Sequence, residues 1–306
     1  MTESTILSPS APGVPGIPTG VVAPPAPRPP RASRSPRAGT VFTHVFLVVG
    51  GLIMVFPFVW QVLMSLSTNS QVMSVPPTFW PGELQFGNFA EVFEKIPFFN
   101  QLWVSILITG LRTLGQLILC TLAGYAFARM PFRGKNIVFA IVLSLLMVPP
   151  QIYLIPQYLI IQDLGLLNTA FGVALPGFFS AFGIFLMRQA FVGLPYELEE
   201  AARLDGANPL QTFFRVMLPL VGPSLSALII ITVLWSWNDL LWPLVVATRA
   251  KDMPLSVGLA TLQGQFSTDY SVLMAASLLA TLPVLILFLV LQKRVVQGLA
   301  FSGMKG

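Results

Sequence analysis

The stretch LPYELEEAARLDGANPLQTFFRVMLP, residues 194 to 219, is a charged segment set between long apolar ones. Pro195 suits the first turn of a helix, three glutamates follow where the helix dipole favours negative charge, and Gly206 suits a left-handed stop. Asn208-Pro209 starts a second helix by similar chemistry, and Pro219 is expected to end it. The stretch therefore predicts two short helices that meet at a glycine turn.

The segments on both sides of this loop predict a chain that spans a membrane. Hydrophobic residues make up 55% of the 306 and charged residues 9%, whereas a soluble domain is roughly a quarter charged. A bilayer core of about 30 Å needs about 20 apolar residues per helix. Six segments qualify: residues 41 to 65, 102 to 127, 137 to 161, 169 to 187, 223 to 247 and 270 to 291. The predicted fold class is an all-α polytopic membrane protein with six transmembrane helices.

The distribution of Lys and Arg predicts which side of the membrane each loop faces. Thirteen of the seventeen lie near the two termini and in the loops at 128 to 136 and 188 to 222, which share one side when the spans alternate. The other side carries Lys95, Arg249 and Lys251. By the positive-inside rule both termini and the loop 188 to 222 are cytoplasmic. The net charge of +5 therefore reflects the basic residues on the cytoplasmic side of the membrane, and no nucleic-acid partner is expected.

Composition divides the chain into three parts. Residues 1 to 40 are rich in Pro and Arg and poor in large apolar residues, so they are expected to form a disordered cytoplasmic tail. Residues 41 to 292 form the transmembrane domain, with the cytoplasmic loop 188 to 222 inside it. Residues 293 to 306 are expected to form a cytoplasmic C-terminal tail.

Few side chains in this sequence are of the types that catalyse reactions, bind metals or couple transport to ions. A single cysteine, Cys120, excludes an intrachain disulfide, and a single histidine, His44, argues against a metal site. Arg112 and Asp239 are charged residues within the spans, and neither has a partner of opposite sign in its own helix. So sparse a set argues against an ion-coupled secondary carrier. The sequence also carries no phosphate loop or catalytic cluster, so neither enzyme activity nor a bound cofactor is expected.

Prolines interrupt three of the spans. Pro149, Pro150 and Pro156 fall in the third span, Pro176 in the fourth and Pro243 in the fifth. Proline frees a backbone carbonyl, which within a membrane is tolerated against protein or a water-filled cavity. Two interpretations stay open: packing kinks, or a translocation path lined by spans three to five.

The loop at 194 to 219 closely resembles the EAA loop of ABC importer permeases. It has Glu200-Ala201-Ala202, Gly206 after three further residues, and Leu218-Pro219 close to its end. Other stretches resemble the carbohydrate-importer branch, permeases similar to the second membrane subunit of the maltose importer. They are residues 123 to 129, 132 to 135, 149 to 156, 237 to 244 and 297 to 306. The resemblance implies the type I ABC importer permease fold.

In that family an external solute-binding protein delivers a carbohydrate, two homologous permease subunits form the path, and two copies of an ATPase bind ATP and Mg²⁺. The resemblance therefore implies that this chain is one permease of an inner-membrane complex and binds no cofactor itself. It also implies a set of residues that contact the ATPase. They are Glu200, Ala201, Ala202, Arg203, Asp205, Gly206, Leu218 and Pro219. For Arg203 and Asp205 an exposed position without contact stays open.

The solute path is expected to include Trp235, Trp237, Asn238 and Asp239, since Trp rings stack on sugars and Asn forms hydrogen bonds with hydroxyls. Helix packing by the two tryptophans is the open alternative. The resemblance further implies that the loop 249 to 269 probes the binding protein and that residues 304 to 306 reach between the ATPases. The alternatives from other classes are a secondary carrier or channel without an ATPase, and a membrane-embedded enzyme.

Overall fold

A computed structural model of the chain describes residues 38 to 76, 78 to 264 and 267 to 302, with side chains described up to residue 289. The predicted N-terminal tail, except for its last residues, and the predicted contact of residues 304 to 306 lie outside the described residues. Within the described residues the secondary structure is helical, apart from one isolated bridge between Gln263 and Thr268. This agrees with the predicted all-α class.

The helices follow the predicted spans and loops in chain order. In the described residues they are α1 (Ala38–Ser65), α2 (Asn69–Val72), α3 (Gly87–Lys95), α4 (Phe98–Arg129), α5 (Lys135–Ser144), α6 (Pro150–Asp163), α7 (Ala170–Ala174), α8 (Ala181–Val192), α9 (Glu197–Leu204), α10 (Pro209–Gln211), α11 (Leu218–Leu220), α12 (Gly222–Trp237), α13 (Leu241–Val246), α14 (Leu255–Thr261) and α15 (Tyr270–Ser302). Short 3₁₀ segments at Leu145–Met147 and Leu175–Phe178 and a π-helical segment at Thr212–Met217 join some of them.

The described residues divide into two units, with the boundary between Ile53 and Met54. In the first unit the described residues form the beginning of α1, and its apolar side chains, such as Phe42 and Phe46, are exposed. The second unit contains the end of α1 and all later helices. The predicted C-terminal tail begins within α15, whose backbone stays helical as far as Ser302.

The number of spans reaches the predicted six when each bent helix pair counts as one, but the last pair joins residues 209 to 220, predicted as part of the cytoplasmic loop, to α12, whereas the predicted fifth span runs from 223 to 247. Within the described residues three helices, in α1, α4 and α15, are long and apolar enough to cross a membrane alone. Three further pairs qualify together although each is bent by more than 40°. The described chain therefore provides up to six spans.

The third span differs most from a straight helix. Its two halves, α5 with the following 3₁₀ turn and α6, meet at an angle of 103°. Pro149 adopts an extended conformation at the break and Pro150 begins α6. Proline disfavours helical geometry in the residue before it, and its own missing N–H is harmless in a first turn. The sequence predicts that the third span is interrupted here, and the structure shows the angle between its two halves.

The core of the second unit is centred on α4, which packs against α8 and α12. Cys120 of α4, Ile184 and Met187 of α8 and Leu228 of α12 are fully buried in one apolar cluster. At Gly124 the backbone of α4 comes so close to α8 that a Cβ there would clash with Met187. Small residues permit such close approach between membrane helices. This packing fixes the ends of α4 and α8, from which the loop bearing α9 departs.

The predicted pair of short helices in that loop is present. α9 ends at Leu204, and Gly206 adopts the left-handed conformation with φ 81°. Asn208 caps the next helix in a capping box with Gln211. The expected end at Pro219 is wrong, because Pro219 lies in the first turn of α11, where proline needs no donor. The helical backbone continues to Leu220 before the 76° bend into α12.

At the opposite end of the bundle, α3 is tied to the start of α15. Lys95 Nζ lies 2.7 Å from a Glu91 oxygen and 3.4 Å from Asp269 Oδ2. The hydrogen bond with Glu91, aided by the charge of Asp269, raises the pKa of Lys95 against an opposing effect of burial. Partial burial works to raise the pKa of Asp269, but hydrogen bonds from Ser271 and Val272 and the charge of Lys95 outweigh it, so the pKa is lowered.

These shifts predict that the attachment of α3 to α15 is pH-dependent. A lowered carboxyl pKa contributes stability above the ordinary value of 3.8 that is lost as the pH falls through the folded-state value. The raised lysine pKa contributes stability below 10.5 that is lost as the pH rises through its folded-state value. Because the pair is partly exposed, we expect up to about fivefold faster hydrogen exchange of residues 87 to 95, after correction for intrinsic rates, at pH 3 than at pH 7. In Asp269→Asn the low-pH loss should be smaller; an unchanged loss contradicts the assignment.

Candidate functional site

One side of α9 is exposed and carries most of the residues that the sequence singles out. Glu200, Ala201, Arg203 and Asp205 are exposed, as is Gly206 in the turn that follows. Ala202 differs, since it is buried in the chain itself and faces the bundle. In α11, Leu218 is half-buried and Pro219 exposed. The structure therefore brings most of the predicted docking residues to one exposed helix and turn.

Three large apolar side chains, at the end of α9 and in the helical segments that follow Gly206, are exposed and were missed by reasoning from the sequence. Leu204 is 89% exposed, Leu210 67% and Phe214 58%, although all three lie in a charged loop. Exposed apolar side chains that lie together on a polar surface are typical of protein-binding sites. The signal was present in the sequence as apolar residues on both sides of Gly206. We call Glu200, Ala201, Leu204, Leu210 and Phe214 the α9 surface.

The opposite side of α9 is anchored by a buried ion pair. Glu199 Oε1 lies 3.6 Å from Arg129 Nε, and the two side chains are 4% and 1% exposed. Arg203 Nη2 lies 3.6 Å from the other Glu199 oxygen and is itself largely exposed. The sequence draws attention to Glu200, but the inward-facing carboxylate is its neighbour Glu199. Which glutamate faces inward depends on how α9 is rotated, and the loop sequence alone does not fix that rotation.

Arg129 connects three elements. It is the last residue of α4, and its Nε and Nη2 donate hydrogen bonds to the carbonyl of Phe191 in α8, at 3.1 and 2.6 Å. Nη2 also donates to the carbonyl of Leu194. The guanidinium lies over the ring of Tyr196, with Cζ 4.2 Å from the ring centre. We call these four residues together with Glu199 the Arg129 junction.

A second polar group lies within the bundle, around the two charged residues of the spans. Arg112 Nη1 donates to Asp239 Oδ2 at 2.7 Å, and Nη2 donates to the carbonyl of Val173 at 2.9 Å. The side chain of Arg112 is 10% exposed and that of Asp239 24%. As the sequence indicates, neither residue has a partner of opposite charge in its own helix. Each instead pairs with the other across the bundle.

Uncharged polar side chains extend this group along α4 and α12. The amide of Gln116 donates to the carbonyl of Gly177 at 2.9 Å and accepts a hydrogen bond from Thr232 at 2.8 Å. These groups border a cavity of about 590 Å³, which we call the polar cavity. It is lined by Arg112, Gln116, Gly177, Thr232, Leu234, Trp235, Ser236, Asn238 and Asp239.

Two of the four predicted path residues, Trp235 and Trp237, lie at the end of α12, and Asn238 and Asp239 lie in the break between α12 and α13. Trp235, which is 60% exposed, Asn238 and Asp239 line the polar cavity. Trp237 is half-buried, and its indole N–H donates to the carbonyl of Ala280 in α15 at 3.2 Å. The structure therefore brings three of the four together and uses the indole of Trp237 in helix packing. In the described residues no three His, Cys, Asp or Glu side chains come together as metal ligands.

Bent helical spans, an ion pair inside the bundle and an exposed two-helix loop are the architecture of a polytopic membrane protein. The chain belongs to the family described as binding-protein-dependent transport system inner membrane component, which it matches over residues 116 to 300. The match includes the whole loop from 194 to 219 and the polar cavity residues of α12. It confirms the ABC importer permease predicted from that loop.

Three similar proteins match most of the chain over nearly their own full length. The arabinooligosaccharide transport system permease protein AraQ of Halalkalibacterium halodurans is 38% identical over 262 residues, covering 83% of this chain and 92% of that protein. The lactose transport system permease protein LacG of Rhizobium radiobacter is 34% identical, covering 81% and 90%. The sn-glycerol-3-phosphate transport system permease protein UgpE of Pectobacterium atrosepticum is 34% identical, covering 87% and 98%.

A solved structure supports the fold. A chain of a bacterial ABC transporter involved in the import of the acidic polysaccharide alginate matches with a TM-score of 0.72 and 28% identity. The match covers 87% of this chain and 99% of that chain. The type I importer permease fold predicted from the sequence is consistent with it.

Proposed function

We propose that this chain is a permease subunit that imports a carbohydrate across the inner membrane with energy from a separate ATPase. In this proposal an external binding protein delivers the solute, a second homologous permease completes the path, and two copies of the ATPase bind ATP and Mg²⁺. The observation that carries the proposal is the α9 surface, an exposed helix with apolar neighbours whose other side is locked into the bundle.

The chemistry of the α9 surface suits a partner with an apolar cleft and a basic rim. Full burial of a side chain such as Leu204, Leu210 or Phe214 is worth roughly 1.5–3 kcal/mol each. The exposed carboxylate of Glu200 can form a charged contact, and Ala201 allows close approach of the partner backbone. We assign this surface to the ATPase. The excess of Lys and Arg on this side of the spans supports a cytoplasmic position for it.

The polar cavity suits a solute rich in hydroxyl groups. The exposed ring of Trp235 offers a stacking face, and the side chains of Asn238 and Asp239 offer hydrogen-bonding atoms. Because Arg112 and Asp239 neutralise each other, the cavity presents no net charge from this pair. We therefore assign Trp235, Asn238 and Asp239 to the solute path. The names of the AraQ and LacG relatives, which refer to arabinooligosaccharides and lactose, support a carbohydrate solute.

The loop 249 to 269 is the proposed contact with the binding protein. It contains α14 and starts from a firm base, since Asn168 Oδ1 accepts hydrogen bonds from the backbone N–H groups of Thr248 and Arg249, at 2.7 and 3.1 Å. A loop held at its base can transmit a contact at its tip to the spans.

Gly206→Val in the reconstituted complex is the experiment that tests this function. Gly206 has φ 81°, where a β-branched residue is strained by roughly 1–3 kcal/mol, and no atom lies within 4 Å of a Cβ placed there. The turn should therefore rearrange and reorient α9. We expect ATP-driven sugar uptake into proteoliposomes to fall at least tenfold.

Gly134→Val is the matched control. Gly134 has φ 78°, also with no atom within 4 Å of a Cβ, and it lies in the loop between α4 and α5. The same strain there should leave uptake within about twofold of the unmodified protein. Normal uptake and normal ATPase coupling in Gly206→Val would show that the α9 surface does not dock the ATPase.

A further inference from the structure

We propose that Arg129 is a positioning residue for energy coupling, which locks α9 to the ends of α4 and α8 so that a push on α9 moves both spans. The inference rests on the proposed function, because it assumes that α9 receives the push from an ATPase. It assigns a role to the last residue of α4, which lies outside the α9 surface.

The first support is the geometry at the ends of the two spans. Carbonyl groups in the last turn of a helix have no partner within the helix and attract positive charge. Arg129 ends α4 and satisfies the carbonyl of Phe191 in the last turn of α8 with two hydrogen bonds, and that of Leu194 beyond it. One side chain therefore joins the ends of two spans that already pack closely along their length.

The second support is the connection to α9. Glu199 is the only glutamate in the first turns of α9 that is buried; Glu197 and Glu200 are exposed. Its carboxylate faces Arg129 at 3.6 Å, and Tyr196, just before α9, covers the guanidinium. Two adjacent glutamates of α9 therefore have different roles. Glu199 faces inward to the spans, and Glu200 faces outward.

The third support is energetic. Arg129 and Glu199 are nearly inaccessible to solvent, at 1% and 4% side-chain exposure. A buried charge that loses its partner is strongly destabilised, since water is not there to replace the interaction. If α9 moved alone, Arg129 would lose its carboxylate partner and keep only backbone carbonyls, and Glu199 would keep only the largely exposed Arg203 of its own helix. The lower-energy response to a displacement of α9 is movement of α4 and α8 with it as one rigid body.

The test compares variants in the complete reconstituted complex. Arg129→Met keeps a long unbranched apolar side chain and removes the charge and donors, and Glu199→Gln keeps the size of the side chain while replacing the carboxylate by a neutral amide. The measurement is the number of solute molecules imported per ATP hydrolysed. We expect a decrease of at least tenfold for Arg129→Met and about threefold or more for Glu199→Gln, with ATP hydrolysis continuing. A purely structural role would lower uptake and hydrolysis together and leave their ratio unchanged.

Arg133→Met is the matched control, because Arg133 is an exposed arginine four positions beyond Arg129 on the same side of the spans. Its ratio should stay within twofold of the unmodified complex. Ratios within twofold for both test variants would overturn the proposal. If Arg129→Met does not assemble, Glu199→Gln decides alone.

A second measurement separates this inference from the proposed function. If the unmodified complex takes up no solute with ATP, the proposed function fails, and hydrogen exchange of residues 197 to 204 then judges the lock by itself. Faster exchange there in Glu199→Gln, with unchanged exchange in α15, supports the lock. Equal exchange of α9 in both proteins refutes it.

Discussion

Gly124→Leu is expected to prevent the bundle from folding. A Cβ at this position of α4 would lie 2.6 Å from Met187 Cβ and 2.9 Å from the backbone nitrogen of Arg188. The backbone of α8 cannot move aside as a flexible side chain can, so the two helices must separate. Overpacking typically costs 1–3 kcal/mol of folding free energy, and a leucine side chain that presses on the backbone of α8 should cost at least about 3 kcal/mol. We expect almost no monodisperse protein in size-exclusion chromatography after detergent extraction.

Gly110→Leu provides the control on the same helix. No atom lies within 4 Å of a Cβ at Gly110, which borders an apolar cavity of about 640 Å³ between α4, α12 and α15. Both substitutions gain the same helix propensity, roughly 0.8 kcal/mol relative to glycine, so only the packing differs. Gly110→Leu should be extracted in normal yield. Similar yields of the two variants would mean that α4 and α8 are not in close contact at Gly124.

Asp239→Leu is expected to cause the second large effect. It leaves the guanidinium of Arg112 buried with only the carbonyl of Val173 as a charge-assisted partner. Breaking a buried ion pair from one side costs about 3–5 kcal/mol, and the partial exposure of Asp239 places the expected loss near 3 kcal/mol. Melting of the detergent-solubilised protein should occur at a clearly lower temperature, and solute uptake should be lost.

The double variant Arg112→Leu with Asp239→Leu separates stability from transport. Removing both charges leaves no unpaired ion, so the melting temperature should recover most of the loss. Uptake should stay low, because the carboxylate assigned to the solute path is still missing. Equal melting temperatures for the single and double variants would contradict a stabilising Arg112–Asp239 pair.

Patterns local in sequence predicted much of the fold. Runs of apolar residues located the spans, and Asn208, Pro209 and Gly206 located the two short helices with their turn. The 103° bend at Pro149 could not be predicted from the sequence, because proline determines where a helix breaks and the surrounding packing determines the angle. The π-helical segment Thr212–Met217 also has no local signal that we can identify.

The candidate site was predicted less completely because its contacts join distant parts of the chain. Arg112 and Asp239 looked unpaired, since each finds its partner in another span. Choosing between Glu199 and Glu200 requires knowing where Arg129 lies, 70 positions earlier. The tryptophans Trp235 and Trp237 are two residues apart and therefore face different sides of a helix, but only the position of α15 reveals which one packs.

The ion pair inside the bundle also has a consequence for biosynthesis. Arg112 is made before Asp239, and 127 positions separate them. At about 5–20 residues per second, the ribosome needs roughly 6 to 25 seconds to supply the partner. A lone arginine near the middle of a helix opposes insertion by the translocon by about 2.5–3.5 kcal/mol, and α4 has the lowest hydropathy of the three long helices. The charge that the second span brings into the bilayer is therefore neutralised only when the fifth span enters and supplies Asp239.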